Sequence, residues 1–245
     1  MIISLIRNFF RKLKKILNLK KKINFKKEIP EISNKEIAII KLIDSYSMTS
    51  YIRKFFLIKC IHYINKNNIK GDIVECGIWK GGNLFLSKKI NDFYQIKRKY
   101  YGYDTFAGMT KPSKNEHFSL KKDFTNNKRK FDWLIINKEK VINYAKNLFS
   151  DISDFKFIEG AVEETLCIKK NLPRKISLLR LDTDYYKSTK IELDKLYPKL
   201  SKGGILIIDD YGDMPGAKKA VDNFFRNKNI FLIRIDRSCR FLIKK

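Results

Sequence analysis

From residue 69 onward the chain alternates short apolar runs with stretches whose apolar positions recur every three or four residues. Short continuous runs rich in Ile, Val, Leu and aromatics read as strands buried on both faces of a parallel sheet, and the helical periodicity reads as the layers covering it. The strands predicted in this way are Asp72–Gly77, Lys99–Tyr103, Phe155–Gly160 with its turn, Ile176–Leu181 and Ile205–Ile208. Helices are predicted over Leu84–Ile90, Lys138–Leu148, Ser188–Tyr197 and Ala217–Arg226, with a helical turn at Glu163–Leu166. Two apolar runs, Ile230–Ile235 and Arg240–Lys244, close the chain around Asp236–Cys239. A loop that short makes its two strands antiparallel. The expected fold is therefore α/β, a mostly parallel seven-stranded sheet ending in an antiparallel hairpin.

Ahead of the sheet, Lys35–Asp44 and Ser50–Asn65 each read as a helix apolar on one face, joined by a polar interval with a Thr or Ser cap. Glu28–Asn34, with Pro30, reads as a linker. In residues 1–28, Ile2, Leu5, Phe9, Leu13 and Ile16 recur at helical spacing among Arg and Lys. That is a basic amphipathic helix of the kind that lies on anionic membrane surfaces, with packing on the body or on a second subunit of a homo-oligomer as the other reading. Its apolar runs are too short for a secretory signal or a membrane span. The organisation expected is 1–28, basic helix; 29–70, helical cap; 71–245, sheet domain.

Composition changes this picture little. Of 245 residues, 44% are hydrophobic and 13% aromatic, which suits a globular chain. The 53 Lys and Arg against 26 Asp and Glu favour anionic partners, although a chain saturated with Lys, Asn and Ile also follows from an AT-rich genome. Cys60, Cys76, Cys167 and Cys239 are isolated, with no CxxC pair. They support neither a zinc site nor a disulfide framework and fit reduced thiols in a cytoplasmic protein.

The candidate chemistry lies where predicted strands stop. Ile176–Leu181 ends at Asp182, and Ile205–Ile208 ends at the tandem Asp209-Asp210. Open α/β sheets bind ligands just past the carboxyl ends of their strands. Carboxylates gathered there repel one another unless a cation or protons intervene, and their hard oxygens suit Mg²⁺. Each also has a plainer reading as a helix cap. After the first strand, Gly77, Gly81 and Gly82 form G-x-x-x-G-G before a helix, a turn that can hold a nucleotide-like cofactor without being a dinucleotide fingerprint. Asp104, ending the second strand, is placed to accept hydrogen bonds from ribose hydroxyls. Residues 110–140, including Pro112, His117 and Asp123, read as a lid or substrate loop.

These residues, taken together, resemble the macrocin O-methyltransferase (TylF/MycF type) family. The resemblance is carried by Val74–Asn83 (VECGIWKGGN), Asp104–Met109 (DTFAGM), Leu179–Thr189 (LRLDTDYYKST), Leu196–Leu200 with Gly203-Gly204, Ile208–Tyr211 (IDDY) and Tyr46–Ser50 (YSMTS). It implies a Rossmann-like class I methyltransferase fold behind an N-terminal helical cap, with S-adenosylmethionine and Mg²⁺, methylating a sugar hydroxyl of a small-molecule or saccharide acceptor. Carried over by position, Glu75, Gly77 and Gly81 hold the methionine part of the cofactor. Asp104 binds the ribose, Thr105, Phe106 and Gly108 shape the adenosine pocket, and Gly160, Ala161 and Glu163 border the adenine. Tyr46, Met48 and Thr49 fold over the cofactor from the cap. Asp182, Asp209 and Asp210 bind Mg²⁺, and Asp182 or Asp184 takes the hydroxyl proton, with His117 a weaker candidate. Asn83 stands where the family has serine, and either residue caps a helix.

Residues 1–28 and most of 110–140 are not covered by the resemblance. With the basic helix, they direct the expectation toward a surface-polysaccharide or lipid-linked sugar, and toward a cytoplasmic enzyme with peripheral contact to the inner face of the membrane. Two rivals stand beside this reading. Methylation of nucleic acid suits the charge, but the chain carries no N-P-P-Y-type motif, so nucleic acid is not the expected partner. A non-catalytic membrane-surface binding protein would use the basic helix alone, against which the intact Asp182, Asp209 and Asp210 argue.

Overall fold

The computed structural model describes residues 24–110 and 134–245. His117, Pro112, Asp123 and nearly all of the expected basic helix lie outside the described residues. The chain divides into two compact units, residues 1–37 and 38–245.

In the first unit, α1 (Phe25–Glu28) is a single turn capped by Asn24. The boundary falls inside α2 (Asn34–Ile43). That helix opens on a capping box: Ser33 N donates to Glu36 Oε2 at 2.7 Å, and Glu36 N to Ser33 Oγ at 3.2 Å.

The second unit is built on one sheet. Its strands are β1 (Asp72–Cys76), β2 (Tyr100–Asp104), β3 (Phe155–Glu159), β4 (Ile176–Leu181), β5 (Leu200–Ile208), β6 (Ile233–Arg234) and β7 (Arg240–Ile243). The spatial order is β3-β2-β1-β4-β5-β7-β6. The first five are parallel, and β7 pairs antiparallel with both β5 and β6. Every residue of β4 is buried, Ser177 and Arg180 included, as expected of a central strand covered on both faces. Chain order reverses between β1 and β4, and that switch point opens the crevice used below.

The helices of this unit are α3 (Tyr51–Lys66), α4 (Gly82–Phe93), α5 (Lys138–Leu148), α6 (Val162–Thr165), α7 (Tyr186–Leu196) and α8 (Pro215–Phe225). Ser50 caps α3, its side chain accepting from Arg53 N at 3.3 Å, as the sequence suggested. α3 packs on α4 and touches β4 and β5, so this part of the cap belongs with the sheet. On one face, Val74, Leu179, Leu206 and Leu242 lie in neighbouring strands at 0–1% exposure, continuous with Leu193, Leu196 and Val221 from α7 and α8. Each such side chain contributes about 1.5–3 kcal/mol by leaving water.

Two strands start more than one residue away from the sequence reading. β5 starts at Leu200, because Gly203, at φ +76°, carries the chain through an irregular register and still pairs with the C-terminus through Lys244. The Gly203-Gly204 pair thus lies inside the strand and not before it. β6 keeps only two paired residues, because Asp236 turns the chain at once, its Oδ1 accepting from Ser238 N and Cys239 N.

Candidate active site

At the carboxyl ends of the parallel strands lie two adjoining clefts, of about 820 and 930 Å³. They share Gly77, Trp79, Asp182 and Asp184 in their walls.

The first cleft opens over β1 and β2. Asp104 ends β2 with both oxygens occupied: Oδ2 accepts from Trp79 N at 2.8 Å and Oδ1 from Phe106 N at 2.8 Å. Trp79 and Phe106 both adopt positive φ, +48° and +55°, so two strained turns are bent to aim their N–H groups at one carboxylate. Burial raises the Asp104 pKa against the opposing pull of these backbone donors. Gly77 permits the tight exit from β1, since a Cβ there would sit 2.0 Å from the Asp182 carbonyl oxygen. Thr105, Gly108, Gly160, Ala161 and Glu163 complete the wall, with Met48 reaching in from the Tyr46–Thr49 segment. Glu163 Oε2 is buried with no hydrogen-bond partner among the described residues. An acidic group fixed for hydroxyl donors and a second, orphaned acceptor in the same wall fit the nucleoside part of S-adenosylmethionine.

Tyr46 and Thr49 line the second cleft only, and Glu75, Gly81 and Phe106 line neither. Gly81 is the N-cap of α4 at φ +86°, while Phe106 acts through its backbone. Asn83 is not a cap: it lies buried in the first turn of α4. It donates from Nδ2 to Thr49 Oγ1 at 3.0 Å and Glu75 Oε1 at 2.9 Å, and accepts from Ser47 Oγ at 3.2 Å. It therefore ties the Tyr46–Thr49 segment to β1, a task serine is too short to share. The helix makes room for this segment at Gly82, where a Cβ would meet Tyr46 O at 2.5 Å.

The second cleft is acidic. Asp182, Asp184 and Asp210 each offer an oxygen within 4.8 Å of the others. Burial is the largest cause that raises all three pKa values, with like charges adding to it, and Asp184 is pushed up to about 6. This hard-oxygen set fits a divalent cation of the Mg²⁺ kind. It differs by one member from the set expected from the sequence. Asp209, buried, has its Oδ2 2.5 Å from Arg53 Nη1 and its Oδ1 2.6 Å from Arg180 Nη2. Asp184 stands in its place, turned toward the cluster by a left-handed φ of +69°.

Neither arginine was singled out as a site residue from the sequence. Arg180, buried at the end of β4, also contacts Glu75 Oε1 at 2.5 Å and Asp182 Oδ2 at 2.7 Å. Burial opposes its charge, but Asp182, Asp209 and Glu75 more than offset this and raise its pKa. Arg53 reaches from α3 and is gripped from behind by Asp236, Nε to Oδ2 at 2.6 Å and Nη2 to Oδ1 at 3.1 Å. The only hint in the sequence is a charged residue inside each apolar stretch, Arg180 in β4 and Arg53 ahead of Phe55-Phe56-Leu57.

The strand order, the terminal hairpin and a crevice at the switch point define a class I methyltransferase. The Macrocin-O-methyltransferase (TylF) model matches residues 8–244, and the chain belongs to that family. It is an S-adenosylmethionine-dependent O-methyltransferase. The chain is similar to the demethyldecarbamoylnovobiocin O-methyltransferase of Streptomyces niveus, 32% identical over 73% of this chain and 68% of the relative. It is 27% identical to the 8-demethyl-8-(2,3-dimethoxy-alpha-L-rhamnosyl)-tetracenomycin-C 4'-O-methyltransferase of Streptomyces olivaceus, over 67% of this chain and 62% of that one. Among solved structures, the O-methyltransferase NovP superposes with a TM-score of 0.74 at 28% identity, covering 82% of each chain.

Proposed function

We propose that the protein methylates a sugar hydroxyl with the help of a divalent cation, and that Asp184 takes the proton. The observation that carries this is the junction of a nucleoside-shaped cleft with an acidic one at Asp182 and Asp184. The tetracenomycin relative's rhamnosyl substrate supports a sugar acceptor.

S-adenosylmethionine supplies a methyl group on cationic sulfur, and Mg²⁺ a Lewis acid that lowers the pKa of a hydroxyl. Asp104 would hold the ribose and Glu163 the adenine side of the cofactor. Asp182 and Asp210 would hold the cation. Asp209 would join them only as Arg53 or Arg180 releases the oxygen that it holds, and the sequence-based set of Asp182, Asp209 and Asp210 would then apply. Asp184, a carboxyl group whose pKa burial pushes up to about 6, is the acceptor for the proton as the hydroxyl attacks. Holding the hydroxyl at the junction of the clefts turns a bimolecular encounter into an oriented one.

A panel of nucleoside-diphosphate sugars and glycosylated small molecules, incubated with radiolabelled S-adenosylmethionine, tests this reading. Label transfer to a sugar that is abolished by chelator and cut about 10²–10⁴-fold in Asp184→Asn supports it. Transfer that ignores both treatments refutes the roles given to the aspartates. The basic pattern of residues 1–28 supports a second contact, with an anionic membrane surface. Flotation on anionic liposomes, full chain against a chain starting at Glu28, tests it, and equal flotation removes the helix from the account. Among the described residues no helix is long and apolar enough to cross a membrane.

A further inference from the structure

Beneath the loop that carries Asp182 and Asp184 lies a carboxyl group to which the proposed reaction assigns nothing. Glu192 sits on the sheet-facing side of α7 at 0% exposure, in line with buried Ser188, Thr189, Leu193 and Leu196. Its Oε1 accepts from Thr183 Oγ1 at 2.8 Å. Its Oε2 is buried with no partner among the described residues. A carboxyl group this buried has lost its hydration, and the Thr183 hydrogen bond offsets part of that cost.

What it holds is the strained turn. Asp184 sits in the left-handed region, at φ +69°, a conformation that persists in a non-glycine residue only where its neighbours enforce it. Asp182 N donates to Cys76 O at 3.0 Å and Tyr185 N to Thr183 O at 2.8 Å, which fixes the ends of the turn. Ser188 Oγ donates to Thr183 O at 3.2 Å. Among the described residues, the tie from Thr183's own side chain into the core is the one to Glu192.

We propose that Glu192 is a positioning residue: by accepting from Thr183 Oγ1 it locks the Asp182–Tyr185 turn, and so keeps Asp184 aimed at the junction of the two clefts. The proposal rests on the reading of Asp184 as the proton acceptor. Burial raises the Glu192 pKa, with the nearby Glu163 and Asp182 charges adding to it and the Thr183 hydrogen bond opposing it. What the turn needs from Glu192 is an acceptor oxygen for Thr183 Oγ1, which a glutamine amide also supplies and leucine does not.

The test is hydrogen–deuterium exchange of the full-length protein, without ligands, read at residues 180–187 in wild type, Glu192→Gln, Glu192→Leu and Thr183→Val. The expected result is exchange at least about tenfold faster in Glu192→Leu and Thr183→Val, with Glu192→Gln close to wild type and β4 and β5 protected throughout. Thr183→Val removes the donor without touching the core carboxyl group, so it remains informative where Glu192→Leu does not fold. The proposal is overturned by unchanged loop exchange in Thr183→Val, by Glu192→Gln as fast as Glu192→Leu, or by acceleration spread evenly through β4 and β5. A parallel titration with S-adenosylhomocysteine keeps the two readings apart. No binding by wild type sinks the cofactor reading and leaves the exchange result standing; binding within about threefold in every variant confines the effect to the turn.

Discussion

The two clefts of this enzyme meet at the same aspartates yet are built on opposite principles. In the first, one carboxylate, Asp104, receives two backbone N–H groups delivered by turns that exist for that purpose. Around the second, Arg53 is held by Asp209 and Asp236 and Arg180 by Glu75, Asp182 and Asp209, with Asp184 and Asp210 grouped beside Asp182. A site held by backbone dipoles is preorganised and asks its ligand only for neutral donors. A site held by charges, with more anions than cations, stays incomplete until a proton, a metal ion or a cationic ligand enters. The first arrangement suits a cofactor that must always bind in one pose. The second suits a reaction in which a proton and positive charge are exchanged.

The sharpest way to break this contrast is to remove the charge at its centre. Arg180→Met leaves Glu75, Asp182 and Asp209 without their shared buried partner, and the expected loss of stability is about 3–5 kcal/mol or more. Thermal denaturation followed by circular dichroism reads it. A variant as stable as wild type would mean that these carboxylates are protonated in the resting protein and Arg180 balances little.

Arg53→Ala acts on the rim of the same network. Freed from the arginine, Asp209 becomes available to a cation, and Mn²⁺ affinity measured by calorimetry is expected to rise about tenfold, or about 1.4 kcal/mol. The gain should vanish in Arg53→Ala combined with Asp209→Asn. Persistence of the gain in the double variant would show that Arg53 acts only through its charge and that Asp209 is not a ligand.

For the cap segment, whose Met48 reaches into the cofactor cleft, the comparable lever is steric. Gly82→Ala forces the Tyr46–Thr49 segment away from α4, because the new Cβ would lie 2.5 Å from Tyr46 O. A cost of about 1–3 kcal/mol is expected, with weaker S-adenosylhomocysteine binding and unchanged Mn²⁺ affinity. Loss of both affinities together would mean that the clefts are not independent.

The smallest effect is one of pH. Burial raises the Asp236 pKa, but the Arg53 hydrogen bond and the N–H groups of Cys239 and Ser238 outweigh it and leave the value below the usual carboxylate range. A depressed folded-state pKa means stability that is complete above the unfolded value, near 3.8, and lost as pH falls through the folded one. Asp236→Asn should therefore lower the melting temperature at neutral pH and flatten its fall in acid. An acid limb as steep as wild type would place the titration elsewhere.

Much of the fold could be read from the residues because each central strand announces itself. Ile176–Leu181 is a run of Ile and Leu interrupted only by Ser177 and Arg180, and it is found as β4 without change. Legibility failed where glycine served a strand and not a turn, as at Gly203, and where a side chain ended a strand early, as Asp236 does to β6. In the site, Asp104, Asp182 and Asp210 could be singled out because they follow strand ends, and Asp184 through the family resemblance. Arg53, Asn83 and Glu192 could not, since their partners lie in distant parts of the chain, and a Glu inside a helical stretch reads as a solvated face unless its burial is known. The choice between Asp184 and Asp209 turns on a single left-handed residue, which no spacing rule reports.

The central claim is a division of labour between the clefts, and a crossed calorimetric titration tests it most directly. S-adenosylhomocysteine and Mn²⁺ are each titrated into wild type, Asp104→Ala and Asp210→Asn. The account predicts that Asp104→Ala loses about 3 kcal/mol or more of S-adenosylhomocysteine affinity and keeps its Mn²⁺ binding, while Asp210→Asn does the reverse. Loss of S-adenosylhomocysteine binding in Asp210→Asn, or its retention in Asp104→Ala, would contradict it.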